Sequence, residues 1–132
     1  MAYHLSVHAE RDGAPRCELY HKPLGADETI FGYWHLPACD RGLVLVAQIY
    51  HEGLEVRGEQ LDKLSDELQR LEEHWLATGA GKTLQIPHNV TDGRGSLSPA
   101  HVCVFDHLTE RLGFVREAIR IARESAGVIE IS

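Results

Sequence analysis

The sequence predicts an α+β fold: a mostly antiparallel sheet of four to six strands with two long helices packed on one face. Three observations predict it. The first half of the chain alternates apolar and polar residues between short turn-forming stretches, and a step of two belongs to strands. From residue 59 the apolar step changes to three and four, the stripe of an amphipathic helix. A second helical stretch follows Pro99, and the chain ends on a brief alternation, Val128-Ile129-Glu130-Ile131. Connections between the early strands are too short for parallel crossovers, so these strands run as meanders.

In AYHLSVHAE (2–10), Tyr3, Leu5, Val7 and Ala9 fall on one face and His4, Ser6 and His8 on the other, a half-buried strand. RDGAP (11–15) is turn chemistry, and CELYH (17–21) returns as the second arm of a hairpin. KPLGADE (22–28) reads as a loop. TIFGYWHL (29–36), rich in aromatic and β-branched residues, reads as a strand. PACDRG (37–42) turns again, and the apolar run LVLVAQIY (43–50) reads as a central strand covered on both sides. EGLEVRG (52–58) extends the sheet.

The first long helix is placed at about 59–77, on the stripe Leu61, Leu64, Leu68, Leu71 and Trp75. Glu59, Asp62, Asp66 and Glu73 fall opposite that stripe at 100° per residue. Glu59 precedes Lys63 by four and Asp66 precedes Arg70 by four, the favourable order for helix-surface ion pairs. Gly79 sits where a left-handed C-terminal cap is wanted. Ser98-Pro99 reads as N-cap and first helical residue. The spacing of Val102, Phe105, Leu108, Leu112, Val115, Ile119 and Ala122 carries the second helix to about residue 125, as one long helix or as two segments meeting at Gly113. His101 to Phe105 also alternates, in the manner of a strand. Gly127 stops the helix, and VIEIS (128–132) is a final strand that enters the sheet beside an early one and can run parallel to it.

At 132 residues the chain is expected to form one domain, 1–132, large enough to hold a core without disulfide or metal. Thirteen basic against twenty acidic residues give a net charge of −7. That charge repels phosphate backbones and anionic lipid, so nucleic acid and membranes are not the expected partners. The N-terminal residues alternate where an export signal needs an unbroken apolar stretch. With Cys17, Cys39 and Cys103 at no metal spacing, the expectation is a cytoplasmic protein with reduced thiols.

GKT, within ATGAGKTLQIPH (77–88), invites a nucleotide. A phosphate-binding loop of the G-x-x-x-x-G-K-[ST] type needs a strand before it and a helix after it. Here Leu76 stands where the first glycine belongs, and the segment leaves a helix for something extended. Gly79 and Gly81 end the helix and Lys82 complements its last carbonyls. No cofactor is expected.

Nine histidines raise the question of a metal. On a helix beginning at Pro99, Cys103, His107 and Glu110 would share a face, and thiolate, imidazole and carboxylate are all zinc ligands. His101 falls nearly half a turn away. Equally, Cys103 reads as a small buried apolar residue, His107 as an interface residue, and Glu110 as an acid near the helix's positive end. His4 and His8 share a strand face but lie about 13 Å apart, too far to share an ion. Cys17 with His21, or Cys39 beside Asp40 and near His35, can be written as nucleophile groups, though spatial adjacency cannot be read from such a list. No G-x-S-x-G or H-E-x-x-H motif is present.

The charge pattern is more informative. Helix 59–77 carries six acids (Glu59, Asp62, Asp66, Glu67, Glu72, Glu73) against two bases (Lys63, Arg70). On the last helix Arg116, Arg120 and Arg123 share a face away from the apolar stripe. Both patterns suit solvated helix faces. They also suit an electronegative patch that docks a basic protein partner through Glu59, Asp62, Asp66 and Glu73. Trp34, Trp75, Tyr33 and Tyr50 read as core or sheet-face residues. The broad pattern of one small acidic domain without a catalytic motif is similar to that of many bacterial toxin-immunity proteins. This likeness is one of class, carried by size and charge. It implies a non-enzymatic inhibitor that covers a basic site. A metal-dependent enzyme or sensor built on Cys103, His107 and Glu110 is the alternative, and a homo-oligomer joined by a strand edge or helix face is a further arrangement.

Overall fold

The computed structural model describes the backbone of residues 2–9, 17–79, 85–91 and 97–132, and the side chains of these except 85–91 and 97–102. Strands β1 (Ala2–Ala9) and β2 (Cys17–Ala26) form an antiparallel pair with two register irregularities. The final strand β6 (Val128–Ile131) pairs antiparallel with β1 on one side and with the short β3 (Leu54–Val56) on the other. The sheet order is β2-β1-β6-β3, so β6 does lie beside an early strand, and it runs antiparallel to both neighbours. A separate antiparallel pair, β4 (Gln85–Thr91) and β5 (Leu97–Cys103), stands apart from this sheet. The α+β class with a four-stranded antiparallel sheet is as the sequence predicts.

Two long helices, α4 (Gln60–Thr78) and α5 (Val104–Ser125), pack against each other, and α5 also packs on β1, β2 and β6. On α4 the stripe Leu61, Leu64, Leu68, Leu71, Trp75 is buried throughout. The sheet contributes Leu5, Val7, Val56, Ile129 and Ile131, all fully buried, while His4, Ser6 and His8 on the other face stay exposed or half-buried. Gly79 closes α4 in the left-handed conformation, φ 65° and ψ 33°, with its N–H donating to the Trp75 carbonyl.

Several stretches differ from their sequence reading, among them PACDRG (37–42), read as a turn, of which 37–41 are helical. Residues 22–26, read as loop, complete β2. TIFGYWHL is helical: α1 (Asp27–Thr29), a π-helix (Ile30–His35) and α2 (Leu36–Arg41) follow one another. Its aromatic composition resembled a strand, but Ile30, Trp34 and Ala38 stand four apart and all are fully buried. LVLVAQIY is also helical, forming most of α3 (Val44–Glu52), which is broken at Tyr50 and His51.

α3 has no local cap, because Leu43 precedes it and its side chain accepts nothing. Glu67 of α4 supplies the cap instead: its Oε1 accepts from the Leu45 and Val46 amides at 2.9 and 3.0 Å. Ser98-Pro99 does not start a helix. Those residues lie in β5, paired with β4, and α5 begins at Val104. A two-stranded ribbon has only edges, and an edge tolerates Pro99's missing N–H.

α5 runs unbroken through Gly113. It ends on Ala126, φ 50°, and not on Gly127. A Cβ at Gly127 would come within 2.8 Å of the His8 carbonyl oxygen, so this glycine lets the chain pass close to β1.

Candidate functional site

The outer face of α4 carries the four carboxylates expected to dock a partner, and Glu59, Asp62, Asp66 and Glu73 are all exposed. Asp62 Oδ1 accepts from Arg123 at 2.7 Å across the α4–α5 seam, and Asp66 pairs with Arg70 at 3.2 Å. Glu73 accepts from the Gln69 amide at 3.2 Å. Glu59 precedes α4, where the helix dipole favours an acid. Among the described residues no lysine or arginine pairs with Glu59 or Glu73. Glu67, counted in the sequence among the six acids of this helix, is buried and turned inward on α3.

The arginines of α5 complete a mosaic. Arg116 binds Glu72 and Gln69 of α4, and Arg120 bridges Glu117 and Glu124 on its own helix. Arg120 holds the Glu117 carboxyl below its ordinary value by hydrogen bond and charge. Such exposed pairs are screened by solvent and contribute little to stability. They neutralise charge locally without closing the surface.

Cys103, His107 and Glu110 are not assembled into one site. Cys103 ends β5 half-buried, His107 is buried in the α5 core face, and Glu110 faces solvent. Their expected common face required a helix already formed at residue 103. Among the described residues no three His, Cys, Asp or Glu side chains group closely enough to hold a metal ion. The Gly81-Lys82-Thr83 stretch lies outside the described residues.

A different site emerges where the π-helix meets α3. Residues 31, 35 and 39 stand four apart, and the helical stretch brings Phe31, His35 and Cys39 to one side. The Phe31 and His35 rings stack at 5.8 Å between centroids, and Tyr50 of α3 lies 5.0 Å from each. His35 Nδ1 is 2.9 Å from the Ala47 carbonyl oxygen. A carbonyl only accepts, so Nδ1 carries a proton, and the neutral form of the ring presents its lone pair at Nε2. Cys39 Sγ is 3.5 Å from that Nε2 and 4.0 Å from Nδ1. His35 and Cys39 border a cleft of about 430 Å³, with apolar walls from Ala38, Leu43, Val44 and Ala47 and polar groups from Gln48 and Glu52.

Pro37 helps shape this turn. It has no N–H to give the Tyr33 carbonyl four residues back, and the indole Nε1–H of Trp75 donates to that carbonyl at 2.8 Å. π-helical turns recur at functional sites, where the extra residue per turn re-aims side chains. A second marker lies close by. His51 holds φ 68° and ψ −45°, a conformation that L-residues rarely adopt and that costs about 1–3 kcal/mol. Its amide donates to the buried Tyr3 hydroxyl at 3.2 Å, which donates in turn to Asp27 at 3.1 Å. Burial raises the Tyr3 phenol above its ordinary pKa; the His51 amide opposes that shift, and the Asp27 hydrogen bond and charge add to it.

The sequence signal for this site was the step of four that carries Phe31, His35 and Cys39, masked by strand-like composition. Comparison with known protein families, with curated proteins and with solved structures finds no match for the chain.

Proposed function

We propose that this chain is a binding protein of inhibitor or immunity type, one domain acting in the cytoplasm, whose acidic α4 face covers a basic surface on a partner protein. One observation carries the reading: Glu59, Asp62, Asp66 and Glu73 are all exposed while the leucines of the same helix are buried beneath them. The chain's −7 charge would steer a basic partner toward it and away from nucleic acid. Arg70 and Arg123 occupy two of the four carboxylates, but these pairs are exposed, and a partner's arginine can replace either at little cost.

The test is a four-site reversal, Glu59→Lys, Asp62→Lys, Asp66→Lys and Glu73→Lys, compared with wild type in affinity capture from the producing cells across a salt series. The reading expects a lysine- and arginine-rich protein that wild type retains at low salt. The reversed variant should bind it at least about tenfold more weakly, with a flatter salt dependence. A partner held equally by both proteins would reduce α4 to a solvated surface.

A further inference from the structure

We propose that Cys39 is a nucleophilic thiol that accepts an acyl group, with His35 as its base. This inference stands apart from the acidic face of α4. It rests on a nucleophile, a base and an orienting group that come from two separate helical segments and meet at one cleft.

The orienting group is the Ala47 carbonyl, which takes the His35 Nδ1 proton at 2.9 Å and so fixes Nε2 as the acceptor. Phe31 stacks on the imidazole and Tyr50 lies tilted against it, and the two rings together hold its plane. Cys39 lies four residues on, its sulfur 3.5 Å from Nε2. Because Nδ1 is nearly as close, at 4.0 Å, the thiol rests over the ring and off the Nε2 lone pair. Rotation of the cysteine side chain brings S–H into line, and such bonds commonly tighten only when substrate is bound. A nucleophile beside a base that is itself oriented by a third group is the arrangement covalent catalysis uses.

The cleft indicates the acyl group. Its volume of about 430 Å³ suits a small molecule, its walls are largely aliphatic, and Glu52 at its border repels anions. Neutral or cationic activated esters and thioesters with a short aliphatic acyl chain fit this lining. In the step itself the Cys39 sulfur attacks the carbonyl carbon and its proton passes to His35 Nε2. The S–C bond forms as the bond to the leaving alcohol or thiol breaks, and that group departs with the proton. The Gln48 amide, bordering the same cleft, is the side-chain donor available to the carbonyl oxygen as charge develops there.

The experiment treats the whole protein with p-nitrophenyl acetate and follows acetylation of each cysteine by peptide mass mapping. Cys17, also exposed but on β2, is the internal reference. The expected result is acetylation of Cys39 at least tenfold faster than of Cys17, with a stoichiometric burst of nitrophenolate that Cys39→Ser removes. His35→Asn keeps a donor for the Ala47 carbonyl but has no base, and it should bring the Cys39 rate down to that of Cys17. Equal rates at the two cysteines in the native protein would overturn the proposal, as would a folded His35→Asn variant that acetylates Cys39 at the native rate. If His35→Asn does not fold, the Cys39-to-Cys17 ratio in the native protein decides alone.

Discussion

Replacing Glu67 tests the most unusual support in the fold, a helix capped from another helix. The Leu45 and Val46 amides, at the second and third positions of α3, are the donors a local N-cap would satisfy. Glu67 Oε1 takes both. The side chain is only 4% exposed, so water does not readily replace it. Without the carboxylate, two buried N–H groups lose their acceptor, at about 1–3 kcal/mol each. Glu67→Met fills nearly the same volume without an acceptor and should cost at least about 2 kcal/mol. Glu67→Ala adds a cavity and should cost more. Glu67→Gln retains an oxygen that can accept both bonds. It loses the charge but also the penalty of burying it, so its cost should stay below about 1.5 kcal/mol. For a chain of this size 1 kcal/mol moves the melting temperature by roughly 3–5 °C. Thermal and urea unfolding should therefore order the proteins as wild type, Gln, Met, Ala, with the gap between Gln and Met the diagnostic one. If Met and Gln unfold together, the paired amides do not depend on that oxygen and the account of α3 fails.

Other outcomes follow from backbone and burial. Ala126→Gly should raise stability by about 0.5–1 kcal/mol in urea unfolding, because φ 50° suits glycine, whereas Gly127→Ala should lower it by forcing a Cβ against the His8 carbonyl. His51→Gly should leave the melting temperature equal or higher while His51→Val lowers it, if the left-handed conformation at 51 is strained as its angles imply. Tyr3 and Tyr20 both titrate above the ordinary tyrosine value, chiefly through burial. A raised pKa means the folded state holds its proton longer, so their contribution is intact below about pH 10 and is lost as pH rises beyond it. Urea midpoints measured from pH 8 to 11 should fall more steeply in wild type than in Tyr3→Phe, despite the lower neutral-pH stability expected when that variant loses its bonds to Asp27 and His51.

What the sequence made legible was whatever local spacing determines. The α4 stripe, its glycine cap, the β1 alternation and the closing strand each depend on neighbours within a few residues, and the structure keeps all four. What it hid depends on distant partners. Val44 to Tyr50 has no capping residue and an almost continuous apolar run, so composition favours a strand. The acceptor that makes it a helix is Glu67, on another element, and although it stands three after Leu64 and four before Leu71, its acidic side chain gives no local sign of an inward role. Ser98-Pro99 failed for the complementary reason, since a good local start signal was overridden by pairing with residues 85–91.

The same logic explains the sites. Glu59, Asp62, Asp66 and Glu73 could be placed on one face from helical geometry alone, but their arginine partner across the seam, Arg123, is 61 residues from Asp62. Cys103, His107 and Glu110 were grouped by assuming a helix through all three, and a three-residue group disappears once the first of them ends a strand. Cys39 and His35 are the converse case. Four apart, they could be named together but not placed together while the segment read as a strand and a turn, because four residues along a strand span about 13 Å. A helical stretch returns the side chain to the same side after four residues, and only the fold of α3 adds the Ala47 carbonyl that assigns the proton on His35. Chemistry at this cleft therefore depends on α3 being a helix. A Glu67→Met protein that loosens α3 should also slow Cys39 acetylation, while Glu67→Gln should leave it near the native rate.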